Sequence, residues 1–163
     1  MVTKRIRTWI VVADGARARF FTASEDGGRL VPARAADMVA PLSRRPARDL
    51  KSDKPGRSYS SSRNGVRHAF EPPHDYHKIE KHRFAASLAE VLSEASESRA
   101  FDQLVLVAPH RSLGELRGLL SARVKRQISQ EIAKDLTNQT PARLWSQLRG
   151  LMNPAPGLRR RLA

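Results

Sequence analysis

Four histidines, His68, His74, His77 and His82, fall within fifteen residues, and Asp75 stands among them. Imidazoles and a carboxylate at that density are zinc donors, but a closed zinc site needs three or four ligands at set spacing without competing cations. Lys78, Lys81 and Arg83 are interleaved with these histidines. No metal site is therefore expected, and partly solvated histidines beside an anion fit the pattern better. Just upstream, residues 56–70 read GRSYSSSRNGVRHAF. Ser58, Ser60, Ser61 and Ser62 would need a base held nearby to act as nucleophiles, and nothing in the stretch fixes one, so no catalytic residue is assigned. The phosphate-cradling patterns GxxxxGK[ST] and GxGxxG are absent, and no cofactor is expected.

The chemistry these residues suit is polyanion capture. Between positions 44 and 67 eight basic residues meet only Asp49 and Asp53, a net of +6. The candidate RNA-binding set begins with Arg44, Arg45, Arg48, Lys51 and Lys54. It continues through Arg57, Ser58, Tyr59, Arg63, Asn64 and Arg67, and ends on a helix start with His74, His77, Lys78 and Lys81. Guanidinium forks and hydroxyls bond phosphate oxygens, while Tyr and His rings stack on unpaired bases. A helix N-terminus adds partial positive charge and free amide hydrogens.

The whole chain shares this bias. Its 163 residues hold 30 Lys and Arg against 16 Asp and Glu, a formal charge of +14. A field of that sign recruits RNA, DNA or an anionic surface, and a compositional excess of Arg that only aids solubility is the plain alternative. Cysteine is absent, which excludes disulfides and thiolate chemistry and suits a reducing compartment. The apolar run Trp9 to Ala13 behind Lys4, Arg5 and Arg7 is too short for a signal peptide, and no later stretch reaches the length of a membrane span. A cytoplasmic protein without stable membrane insertion is expected.

The elements that must position these residues can be read in order. Asp14-Gly15 between two β-prone runs predicts a hairpin with positive φ angles at the turn. The alternation of Ala16, Ala18 and Phe20 with Arg17, Arg19 and Phe21 predicts one buried face and one bearing arginines. A second turn at Asp26-Gly27-Gly28 leads to a third strand running toward Val39, giving an antiparallel meander. From Pro41 to Pro73 no period survives, and five prolines with little apolar surface cannot offset the entropy of ordering, so 44–70 is expected to be a mobile basic loop that orders on RNA. After it, Phe84, Leu88, Val91, Leu92 and Ala95 form a helical stripe with Asp75 as candidate N-cap. Phe101–Ala108 reads as a buried strand, and Ser112 begins a second helix. Residues 121–136 fit a helix or an edge strand equally. Thr140-Pro141 opens a last helix, and the tail 153–163 is expected to be disordered, leaving 1–152 as one domain.

Five ordered blocks, ADGARARFF, GRSYSSSRNG, HKIEKHRFAASLAEVL, FDQLVLVAPHRSLGELRGLL and EIAKDLTNQTPARLW, together resemble the bacterial host attachment proteins, a family grouped with relatives of the archaeo-eukaryotic peptide-chain release factors. The resemblance runs from about Thr8 to Met152. It implies an α/β fold like the release-factor middle domain, which is also ribonuclease H-like: a mixed five-stranded sheet begun by an antiparallel three-strand meander and flanked by helices. It implies that roughly Gln127 to Leu136 is the last strand. Release factors carry Gly-Gly-Gln in the loop before the long helix. Here Gly56, Arg57, Ser58 and Tyr59, then Asn64 and Gly65, occupy that loop, and no Gln occurs between Arg29 and Arg99. The resemblance therefore implies a shape and a basic loop without the hydrolytic residue.

The expected function is a cytoplasmic RNA-binding factor associated with ribosomal RNA or tRNA, in translation or ribosome rescue. The alternative is an attachment protein meeting an acidic polysaccharide or another acidic surface partner. A nuclease would need clustered carboxylates. Asp14, Asp102 and Asp135 are the residues near strand ends, and turn, edge or cap roles are the simpler reading of each.

Overall fold

The computed structural model describes residues 5–41 and 73–151. The expectations for the loop 44–70 and the tail 153–163 lie outside the described residues.

Strand β1 (Thr8–Ala13), TWIVVA, is the apolar run behind the basic N-terminal residues. It pairs antiparallel with β2 (Arg17–Ala23), Ile10 opposite Phe21 and Ala13 opposite Ala18. The turn between them is not the positive-φ hairpin that Asp-Gly suggests: among the described glycines only Gly27 has positive φ, at 68°. Asp14 closes the turn instead. Its N–H donates to the Arg17 carbonyl at 2.9 Å, and its Oδ1 accepts the N–H groups of Ala16 and Arg17, both at 2.7 Å, an Asx turn that needs no left-handed residue. Gly15 lies close against the Lys81 side chain. A Cβ there would lie 3.0 Å from Cγ and Cδ of Lys81.

The third strand of the meander is split. β3 (Leu30–Pro32) pairs with the end of β2 and β4 (Met38–Val39) with its start, along the same edge. The first ladder ends past Pro32, where the Ala33 N–H donates to the Phe20 carbonyl at 2.9 Å; residues 34–37 then leave the edge and the chain rejoins β2 in a shifted register with Met38 opposite Ala18, so two short strands replace one and the sheet has six strands. The chain resumes with α1 (Pro73–Glu97), β5 (Gln103–Ala108), α2 (His110–Leu119), α3 (Ala122–Gln127), β6 (Ile128–Ala133) and α4 (Pro141–Leu151). Helix α1 opens at Pro73, two residues before the expected cap at Asp75, because proline at the first helical position leaves no N–H unsatisfied. Residues 121–136 turn out to be helix and strand in succession. Ser121 caps α3 by accepting the Val124 N–H at 3.3 Å, and the chain straightens into β6 at Ile128.

The strand order is β3-β2-β1-β5-β6, with β4 also on β2. β5 runs parallel to β1, and β6 parallel to β5. Helices cover both faces of this mixed α/β sheet. Trp9, Val11 and Phe20 face Phe84, Leu88 and Leu92 of α1, Leu113 and Leu116 of α2 and Val124 of α3. Ile10, Val12, Phe21, Val105 and Val107 face Leu144 and Leu148 of α4. The expected arginine face of β2 is therefore half closed. Phe21 is buried, and Arg19, with 14% of its side chain exposed, lies 4.9 Å from the Phe21 ring centroid and donates to the Thr137 carbonyl at 3.2 Å.

Candidate functional site

Helix α1 changes character along its length. Phe84, Ala85, Leu88, Ala89 and Leu92 are buried, whereas Tyr76 to Lys78, Lys81, His82 and Arg83 are all exposed. The first apolar anchor is Phe84. Upstream of it the sequence supplies His77, Lys78, Lys81, His82 and Arg83, which gain nothing from a core, so the first turns of α1 stand free of the sheet. Helix α2 begins two residues after β5 ends. Burial of Leu113 and Leu116 sets its roll, and Arg111 and Glu115, one turn apart, come to face α1.

Between the two helices lies a groove of about 640 Å³ lined by His77, Lys78, Lys81, His82, Arg83 and Arg111, with Glu115 as its single carboxylate. His82 Nδ1 lies 3.1 Å from Glu115 Oε1. Arg83 is held by Glu80 at 3.3 Å. Lys78, Lys81 and Arg111 have no ion-pair partner among the described residues. The methylene stem of Lys81 rests on Gly15, in the turn after β1, and Arg111 follows the end of β5. The groove thus opens at the carboxyl ends of two parallel strands, the usual place for a ligand in an open α/β sheet. Three cations without an ion-pair partner among the described residues, with Arg83 held by Glu80 and Glu115 engaged by His82, suit the groove to an anion with several charges, and the His77 and His82 imidazoles line it too.

Of the sequence-predicted residues, the structure brings together His77, Lys78 and Lys81. His74 lies in the first turn of α1. Arg44, Arg45, Arg48, Lys51, Lys54, Arg57, Ser58, Tyr59, Arg63, Asn64 and Arg67 lie outside the described residues. Arg111 and Glu115 were not expected. Their signal was the leucine stripe of α2, which leaves positions 111 and 115 on a common side but does not say that α1 is the neighbour.

The three strand-end aspartates separate. Asp102 pairs with Arg7, Oδ2 to Nε at 3.3 Å, beside the start of β5. At the opposite end of the sheet Asp14 and Asp135 converge on Thr137, whose Oγ1 lies 2.9 Å from Asp14 Oδ2 and 2.9 Å from Asp135 Oδ1. Thr137 is 1% exposed, so its hydroxyl ties the loop after β6 to the first hairpin. Among the described residues no three His, Cys, Asp or Glu side chains are disposed to hold a metal ion.

Residues 9–148 match the model of a family described as proteins required for attachment to host cells. The chain belongs to that family. No curated protein matches it. Among solved structures, an archaeal translation termination factor, aRF1, is similar over 90% of this chain at a TM-score of 0.46 and 11% sequence identity, and the chain spans 39% of that factor's length. No described helix is long and apolar enough to cross a membrane.

Proposed function

We propose that this host attachment family member is an RNA-binding factor of the cytoplasm, associated with ribosomal RNA or tRNA, that holds a phosphate backbone in the groove between α1 and α2 and lacks the Gly-Gly-Gln hydrolytic motif. The observation that carries this reading is the set of cations Lys78, Lys81 and Arg111, without an ion-pair partner among the described residues, converging on one groove. An isolated surface lysine is ordinary. Three cations from two elements, none neutralised among the described residues, form a polyphosphate-sized patch. The sequence supports the reading further. The basic stretch Arg44 to Arg67 leads along the chain directly into α1, so both sets of cations can act on one strand of RNA, with Tyr59, Tyr76 and His77 available to stack on bases.

The family description favours a second reading, in which the same cations meet an acidic polysaccharide at a cell surface. Location separates the two. Sedimentation of a tagged copy with ribosomes at low salt, together with protection from protease added to intact cells, is expected. Digestion on intact cells with no ribosome-associated fraction would overturn the RNA reading in favour of the surface one.

A further inference from the structure

One pair in the groove between α1 and α2 can change its charge near neutral pH. His82 on α1 and Glu115 on α2 meet across the gap, Nδ1 to Oε1 at 3.1 Å, and both line the groove. Solvent reaches both side chains. Imidazole is the side chain that gains and loses its charge between about pH 5 and 8, a range through which lysine, arginine and carboxylate groups ordinarily keep theirs. Around His82 the groove carries His77, Lys78, Lys81 and Arg83 from the same helix, and Arg111 and Glu115 from α2. Arg83 is engaged by Glu80. Among the described residues that line the groove, only His77 shares the chemistry of His82.

The contact with Glu115 makes one proton on His82 act twice. While the ring is neutral, the Glu115 carboxylate keeps its full charge and offsets part of the field of Lys78, Lys81 and Arg111, which have no ion-pair partner among the described residues. A protonated His82 adds a positive charge to the groove wall. It also forms an ion pair with Glu115, the one carboxylate lining the groove, and so cancels it. His77 has no acidic partner among the described residues and contributes only its own charge. Lys78 lies four residues before His82, on the same side of the helix, and repels a charge there. A phosphate in the groove offsets that repulsion, so proton and phosphate reinforce each other.

We propose that the groove is a proton-switched RNA site, in which protonation of His82 against Glu115 raises the affinity for phosphates and bound RNA in turn takes up a proton. The two effects are reciprocal by linkage. This inference rests on the proposed RNA binding in the groove and adds its regulation.

An oligouridylate is the probe, because neither its phosphodiesters nor its bases change charge over the range in which imidazole does. Its affinity for the full chain, measured by fluorescence anisotropy at low and constant salt, should rise roughly four-fold or more from about pH 8 to about pH 5.5. His82→Gln should lose at least about two-fold of that rise, and His77→Gln should lose less of it. His82→Arg, whose charge is permanent, should bind at about pH 8 roughly two- to five-fold more tightly than the native chain. With 61% of its side chain exposed, position 82 accepts these changes without loss of the fold. Calorimetry at about pH 6.5 in two buffers of different ionisation heat should show net proton uptake on binding, smaller in His82→Gln. Failure of the native chain to bind RNA at either pH would overturn the proposed function and this inference with it. RNA binding that Lys78→Ala/Lys81→Ala weakens, but that rises with acid equally in the native chain and in His82→Gln, would overturn this inference alone, as would a His82→Arg protein that binds no more tightly than the native chain at about pH 8.

Discussion

His82 Nδ1 and Glu115 Oε1 stand 3.1 Å apart across the gap between α1 and α2, so the one carboxylate that lines the basic groove is occupied by a neighbour rather than by the lysines. The pair is partly solvated, with side-chain exposures of 61% and 31%. Its own contribution to stability is therefore small, about 0.2–1 kcal/mol, and its larger effect is on the potential in the groove.

Removing that carboxylate should strengthen anion binding. Glu115→Gln is expected to raise affinity for a short single-stranded RNA roughly two- to five-fold at low salt, the scale of one partly screened charge. Fluorescence anisotropy measures this. Weaker binding in Glu115→Gln would mean that the carboxylate contacts the ligand and that the groove is not read by net charge.

Thr137 should matter more to stability than to binding. Its hydroxyl has one proton to give, is nearly inaccessible to water, and lies between Asp14 and Asp135. Thr137→Val deletes that donor and leaves two carboxylates facing each other. A loss of about 1–3 kcal/mol is expected by urea denaturation, with RNA affinity unchanged in the folded fraction. A Thr137→Val protein as stable as the native chain would show that the Thr137 hydroxyl contributes nothing to the contact between hairpin and β6 loop, which the Arg19 bonds to that loop would then hold.

The turn between β2 and β3 carries a pH signature. The Ser24 hydroxyl, then the Gly28 N–H, hold the Asp26 carboxyl below its ordinary value of 3.8. A depressed carboxyl stabilises the fold once it is ionised, so its contribution is complete above 3.8 and fades as pH falls through the lower, folded value. The Gly28 amide resonance, followed by NMR during acidification, should titrate with a midpoint below 3.8, and Asp26→Asn should abolish the transition. A midpoint at or above the ordinary value would mean that the turn bonds do not persist in solution.

The fold was largely legible because its elements announce themselves by period. TWIVVA and QLVLVA are runs that only a strand covered on both faces can bury, and the Phe84, Leu88, Leu92 spacing is a helix stripe. What the local pattern misjudged followed from tertiary contacts. Gly15 looks like a φ residue and is instead a gap filled by Lys81. Arg19 looks solvent-facing and is covered by Phe21 and the loop after β6. The helix or strand ambiguity at 121–136 had no local solution because both occur, separated at Gln127. Half of the candidate groove was visible as charge on α1. The other half, Arg111 and Glu115, depended on which helix packs beside α1, a pairing that no period in the sequence encodes.

The most direct measurement is the salt dependence of RNA binding by the native chain and by a Lys78→Ala/Lys81→Ala/Arg111→Ala variant. Each phosphate contact to single-stranded nucleic acid contributes about −0.7 to the slope of log affinity against log salt. If the groove holds the phosphate backbone, the native chain binds with a steep negative slope, and the triple variant binds more weakly with a slope shallower by about two units for its three lost contacts. Equal affinity and equal slope in the two proteins, with both correctly folded, would contradict the assignment of the α1 and α2 groove as the RNA site.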